Sequence, residues 1–125
     1  MADFKYTKDH ECVYVDGDIA SVGITQHAQD ALGDLVFIEL PETGKSVVVG
    51  DEVAVVESVK TAAEVYTPVA GEIVEVNTPI SDELELISSP INENGWLVKL
   101  KISDASALNA LMDSAAYDAY LKEID

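Results

Sequence analysis

Arginine is absent from the chain, and cysteine occurs once, at Cys12. A single thiol excludes an internal disulfide and a cysteine-built metal cage, and it fits a reducing compartment. No apolar run approaches the ~20 residues needed to span a bilayer. The opening residues, Met1-Ala2-Asp3-Phe4-Lys5, carry no basic segment followed by an apolar one. Neither a membrane anchor nor a secretory leader is therefore expected, and a cytoplasmic location is. Seven lysines are the whole basic complement against 24 acidic residues, which leaves a net charge of −17. Nucleic acid and anionic membranes would be repelled by such a surface, whereas basic protein partners would be attracted and steered.

What is plentiful is aliphatic. Hydrophobic residues make up 48% of 125 residues, rich in valine, leucine and isoleucine. That is enough for one core in a single domain, residues 1–125, and disordered acidic chains lack it.

The first half reads as short strands. Asp18–Ile24 sets Ile19 and Ser21 on one face and Ala20, Val22 and Ile24 on the other. Thr25 can cap a helix over Gln26–Leu32, which Gly33 can end. Leu35–Leu40 is a strand stopped by Pro41. Val47-Val48-Val49 leads to a turn at Gly50-Asp51. Valine-rich segments follow at Glu52–Val56, Glu64–Thr67 and Glu72–Val76. Residues 77–95 read as an irregular connection, with at most one helical turn near Asp82–Leu86, because Pro79, Pro90 and many small polar residues interrupt it. In Trp96–Ile102, alternation puts Trp96, Val98, Leu100 and Ile102 on one face and Lys99 and Lys101 on the other. The tail is helical: Leu108, Leu111 and Met112 fall at helical spacing, Ser114 is expected to cap a restart, and Tyr117, Tyr120, Leu121 and Ile124 make an apolar stripe at i, i+3, i+4 and i+7, suited to packing on the domain's own core.

Gly50-Asp51-Glu52-Val53 and Gly71-Glu72-Ile73-Val74 share the pattern glycine, acid, any residue, valine. Lys60 stands near the midpoint between them. If the flanks are antiparallel strands, Lys60 is at the tip of a hairpin, held out on a flexible four-carbon stem. A carrier that is loaded after translation needs this placement, since a modifying enzyme must grip the lysine and the load must reach several partners. Free lysine titrates near ~10.4, so such an enzyme must also remove a proton before the amine can attack an activated acyl group. Residues 55–64 contain no glycine, proline or asparagine for a tight turn, and Ala62-Ala63-Glu64 suits a helix. On propensity alone a hairpin and a helix stay equally open.

Glu57-Ser58-Val59-Lys60, after Val55-Val56, resembles the lipoylation motif of the glycine cleavage H proteins. The resemblance continues through Tyr6–Glu11, Gly23-Ile24-Thr25, Ala28-Gln29, Leu32-Gly33-Asp34, Val36-Phe37, Glu39-Leu40-Pro41, Glu64-Val65-Tyr66, Pro68, Gly71-Glu72, Val76-Asn77 and Gly95-Trp96-Leu97. It covers residues 4–102 and, more loosely, the helical segment 103–125. It implies a mainly β fold, an antiparallel barrel-sandwich hybrid with short helices, carrying the lysine on a hairpin. It also implies a non-catalytic, monomeric carrier with lipoic acid joined to Lys60 by a lipoate-attaching enzyme. The implied partners are glycine decarboxylase, which passes an aminomethyl group to a lipoyl sulfur; aminomethyltransferase, which moves the one-carbon unit to tetrahydrofolate; and dihydrolipoamide dehydrogenase, which reoxidises the dithiol. Family carriers shelter the loaded arm in a cleft. By position, Glu11 and Glu64 are candidate acidic groups there, with Asp9 a third.

Two departures stand out. The family usually has tryptophan where Cys12 stands, so altered packing under the N-terminal strand is expected. Around Ser88-Ser89-Pro90 the usual asparagine is missing, and Ile91 replaces a tyrosine. Other readings are weaker. Cys12 and His10 lack an oriented third group for hydrolysis, and nothing resembles a nucleophile elbow. Asp82, Glu83 and Glu85 lack a calcium-loop pattern. Biotin domains flank their lysine with methionines, whereas Lys60 has Val59 and Thr61. A relay passing lipoyl or octanoyl groups to other enzymes would use the same Lys60.

Overall fold

The computed structural model describes residues 3–8, 10–88, 91, 93–104, 108 and 111–124. In chain order, the strands are β1 (Asp3–Tyr6), β2 (Glu11–Asp16), β3 (Ile19–Ile24), β4 (Leu35–Glu39), β5 (Ser46–Val47), β6 (Glu52–Ser58), β7 (Ala62–Tyr66), β8 (Ala70–Val76) and β9 (Val98–Asp104). Helix α1 (Gln26–Leu32) lies between β3 and β4, α2 (Thr78–Asp82) follows β8, and α3 (Ser114–Ile124) follows β9. All strand pairings are antiparallel. One sheet runs β1-β2-β3-β9-β8-β5 and the other β4-β6-β7. The expected mainly β architecture is what the chain adopts.

Aliphatic side chains from both sheets meet in one core. Val13, Val22, Ile38, Val56, Val65, Ile73, Leu97 and Leu100 are fully buried in it, each contributing about 1.5–3 kcal/mol of transfer free energy. A second, smaller cluster joins Cys12, Ile91 and Trp96, with Tyr6 and Tyr14 against it. Strand β3 is consequently covered on both sides. Trp96 departs from the expected alternation. It precedes β9, lies in the small cluster rather than with Val98 and Leu100, and carries the Lys99 ammonium 4.6 Å from its ring. Asn77 fixes this approach by donating from Nδ2 to the carbonyls of Asn94 (2.8 Å) and Trp96 (2.7 Å).

Helix α1 has the bounds its sequence dictates. Thr25 Oγ1 accepts the Ala28 N–H at 3.2 Å, and Gly33, at φ 78°, closes the helix with its N–H on the Gln29 carbonyl. The connection after β8 is more helical than its composition suggests. It holds α2 and a 3-10 turn over Leu84–Ser88. Pro79 lies in the first turn of α2, where a missing N–H costs nothing, and Ile80 and Ile87 are buried. Of the departures read from the sequence there, Ser89 and Pro90 lie outside the described residues. The cap of α3 is Asp113 rather than Ser114: its Oδ1 accepts the Ala116 N–H at 2.8 Å. The helix is shorter than the expected segment 103–125: β9 runs on to Asp104, and Met112 pairs with Tyr6 through two backbone hydrogen bonds rather than continuing a helix. Of the tail stripe, Tyr117 is buried, while Tyr120 and Leu121 are half-buried.

The two glycines of the sequence repeat serve unlike purposes. Gly50 takes φ 93° in the turn before β6. Gly71 has no such φ, but a Cβ there would stand 2.3 Å from the Lys101 carbonyl oxygen across the β8–β9 ladder. Among the described residues no helix is long and apolar enough to cross a membrane.

Candidate functional site

Strands β6 and β7 pair from Glu52↔Tyr66 to Glu57↔Ala62, so the hairpin, not the helix, is the form taken by residues 55–64. Its apex is Val59-Lys60, enclosed by Ser58 and Thr61. The Ser58 N–H donates to the Thr61 carbonyl at 2.7 Å. Most such turns rely on glycine or asparagine at positive φ. Here, among the described residues, the only positive φ outside glycine is at His10. Ser58 supplies the missing stabilisation: its buried hydroxyl donates to the Thr61 carbonyl at 3.0 Å and accepts the Thr61 N–H at 3.2 Å. From the residue just before β4, the Asp34 carbonyl accepts the Val59 N–H at 3.1 Å. Two independent ties thus hold the apex rigid beneath Lys60.

Lys60 is exposed. Its Cε passes 3.8 Å from where a Cβ would stand on Gly33. The stem therefore lies over the bare backbone that ends α1. Glu57 is half-buried on β6, opposite Phe37 and Ala62. Val59 is 76% exposed.

The acidic residues read from the sequence are placed differently from one another. Glu11 is buried, with Oε1 accepting from the Thr7 hydroxyl at 3.1 Å and Oε2 accepting the Tyr66 N–H at 2.8 Å. It ties β2 of one sheet to the edge strand β7 of the other. Glu64 is exposed on β7, two residues before Tyr66. Asp9 lies outside the described residues.

Two hollows flank α1. The larger, about 770 Å³, is lined by Gln26, Gln29, Asp30, Gly33, Asp34 and Leu35 together with Asp82, Leu84, Glu85 and Ile87. It begins at the residue under the Lys60 stem. The other, about 400 Å³, is shared between α1, α3 and the Cys12 cluster. Glu11 and Glu64 line neither. Gln26, Gln29, Asp30 and Gly33 follow helical spacing, so the polar stripe that borders the larger hollow was present in the sequence but reads there as an ordinary solvated face.

Cys12 and His10 do not form a reactive pair. Cys12 is buried, and its thiol is pushed up to about 12, by burial first and by the Glu11 carboxylate second, against a lowering hydrogen bond from the Gly23 backbone. His10 Nδ1 instead lies 2.7 Å from the Tyr117 hydroxyl. Among the described residues, no three His, Cys, Asp or Glu side chains are arranged to hold a metal ion.

Comparison with known proteins bears on this arrangement. Residues 4–124 match the family described as Glycine cleavage H-protein. A glycine cleavage system H protein of Parvibaculum lavamentivorans is 51% identical over 124 residues, covering 99% of each chain. One of Phenylobacterium zucineum is 50% identical over 117 residues, covering 94% of this chain and 97% of its own. The crystal structure of a glycine cleavage system H protein from Mycobacterium marinum superposes with a TM-score of 0.81 at 37% identity, covering 98% of this chain and 96% of the other.

Proposed function

Because the chain belongs to the glycine cleavage H-protein family, we propose that it is the lipoyl-bearing shuttle of that system, without catalysis of its own, and that Lys60 is its attachment residue. The observation that carries this reading is the exposed amine on a braced hairpin apex. An enzyme that closes on the apex meets backbone that does not yield, because the Ser58–Thr61 and Asp34–Val59 hydrogen bonds hold it.

In the attachment step the Lys60 nitrogen, deprotonated by the attaching enzyme, forms a C–N bond to the carbonyl carbon of an activated lipoyl group. The bond to the activating group breaks and that group leaves with the electron pair. The chain loses one positive charge, from −17 to −18. Glu57, Ser58 and Val59 act as the recognition motif: Glu57 by its half-buried carboxylate, Ser58 by shaping the turn, Val59 by its exposed side chain.

When bound, the lipoyl group supplies a cyclic disulfide that accepts the aminomethyl group and two electrons. Glycine decarboxylase, aminomethyltransferase and dihydrolipoamide dehydrogenase are the partners this role requires. The hollow beside α1 starts under the Lys60 stem and offers amide and carboxylate groups to an arm lying along it. Glu64 can offer a carboxylate from the β7 face. Glu11 contributes by holding the β7 edge in place, and Asp9 remains a third candidate from the sequence.

Expression with lipoate followed by intact-mass measurement should give one lipoyl increment, absent in Lys60→Arg. A biotin-sized increment would overturn the assignment. Mixed with glycine decarboxylase and labelled bicarbonate, the lipoylated chain should move label into glycine. A lipoylated chain that supports lipoyl transfer but no exchange would instead be a relay.

A further inference from the structure

Alternation along β4 would send Val36 inward with Ile38 and leave Phe37 alone outside. A register shift between Leu35 and Phe37 changes this. Ile38 is buried, while Val36 is 57% and Phe37 48% exposed. Bulges re-aim side chains in this way, and here the result is two consecutive apolar residues in water. Val59, the third, is tied by its N–H to Asp34, two residues before Val36. Behind them the outward rows run Phe37–Glu57–Ala62 and Glu39–Val55–Glu64. Lys60 is the sole basic residue of β4, β6, β7 and the hairpin apex. The face is therefore apolar at the lysine end and acidic behind it.

We propose that this face is the docking surface for the enzyme that acylates Lys60, and that the enzyme meets it with an apolar recess rimmed by arginine or lysine. The inference rests on Lys60 being the acylated residue. Reach selects this partner over those that handle the load. A finished arm extends on the order of 10 Å beyond the lysine nitrogen, so enzymes acting at its far end can stand away from the sheet. The acylating enzyme has only the lysine stem to work with, roughly 6 Å. It must close on whatever flanks the apex. Phe37 is opposite Glu57, three residues from Lys60, and so lies about 10 Å from it along the strands. Three carboxylates on strands that carry no basic residue suit a basic rim and disfavour an acidic one.

The test follows lipoylation of the full chain by intact mass, with a purified lipoate-attaching enzyme, lipoate and its activating nucleotide. V36S/F37S should lower kcat/KM at least tenfold, mostly through KM. V48S/V49S, which removes exposed valines from the turn after β5, should match the unmodified chain. The triple variant E39Q/E57Q/E64Q should raise KM severalfold at low salt and little at high salt, a dependence that a folding defect would not produce. Equal kcat/KM for V36S/F37S and the unmodified chain, within twofold, would overturn the docking surface while leaving Lys60 as the acceptor. No lipoyl increment on the unmodified chain would overturn the assignment of Lys60 and the docking surface with it.

Discussion

Ser58 does for this hairpin what glycine or asparagine does for most. Its hydroxyl is buried and spans the turn to both backbone groups of Thr61, which is why a stretch of valine, lysine and threonine can reverse direction. Ser58→Ala would leave the Thr61 N–H short of its acceptor beneath the apex, at a cost of about 1–2 kcal/mol. Chemical denaturation should show that loss, and lipoylation of Lys60 should slow, because the amine is presented from a looser turn. An unchanged midpoint would mean that the Ser58 N–H bond alone closes the hairpin. Cys12 illustrates the opposite case, a reactive residue type held inert. Burial keeps its proton on up to a pH of about 12, whereas an unfolded thiol releases it near ~8.5. The folded value is the higher one. The associated stability is thus present in full below the unfolded pKa and is lost as pH rises from there through the folded value. Between pH 8 and pH 10 the chain should lose about 1–2 kcal/mol from this source. Cys12→Ala should flatten that part of the unfolding free-energy profile, and an equal slope in both proteins would show that the thiol is not the group responsible.

Among its described residues, the C-terminal helix buries one side chain, Tyr117. The Tyr117 hydroxyl lies 2.7 Å from His10 Nδ1 and 2.8 Å from Thr25 Oγ1, and its ring stacks on Tyr6 at 4.8 Å. Thr25 also caps α1, so one hydroxyl joins the N-terminal segment, the helix beside the Lys60 stem and the tail. Tyr117→Phe keeps the stack and removes both hydrogen bonds. It should cost about 1–2 kcal/mol, and amide exchange should speed in α3 before it does in β6 and β7. Uniform acceleration across all three would mean that α3 opens only with the whole domain. At this scale legibility follows the range of the signal. Helix α1 was readable to the residue because Thr25, the apolar spacing and Gly33 are local. The strands of the hairpin were readable, but their turn was not, since its stabilising group is a side chain reaching back across it. Helix α2 was hidden by Pro79, which reads as a breaker until its first-turn position is known. The hollow beside α1 was hidden too, because a polar helical stripe looks the same whether it faces bulk water or a cleft. Lys60 is singled out by the resemblance spread over the chain, since propensity alone leaves a helix equally open there.

Over the whole molecule, 24 acidic residues stand against seven lysines. If Lys60 is acylated as proposed, one of those seven charges is removed, and the loaded carrier is more acidic than the chain as translated. A field of this sign should matter most during encounter. It draws in partners whose contact surfaces are basic and orients them before any contact forms. Screening shortens such fields from ~10 Å at 0.1 M salt to ~3 Å at 1 M. If the field steers, kcat/KM for reoxidation of the carried dithiol by dihydrolipoamide dehydrogenase should fall on the order of tenfold between those two salt levels. Free lipoamide provides the control, being the same reactive group with no protein charge behind it. Its rate should change little, so the ratio of the two rates isolates what the chain contributes. A ratio that stays level with salt would mean that the acidic surface keeps the chain in solution and plays no part in bringing partners to Lys60.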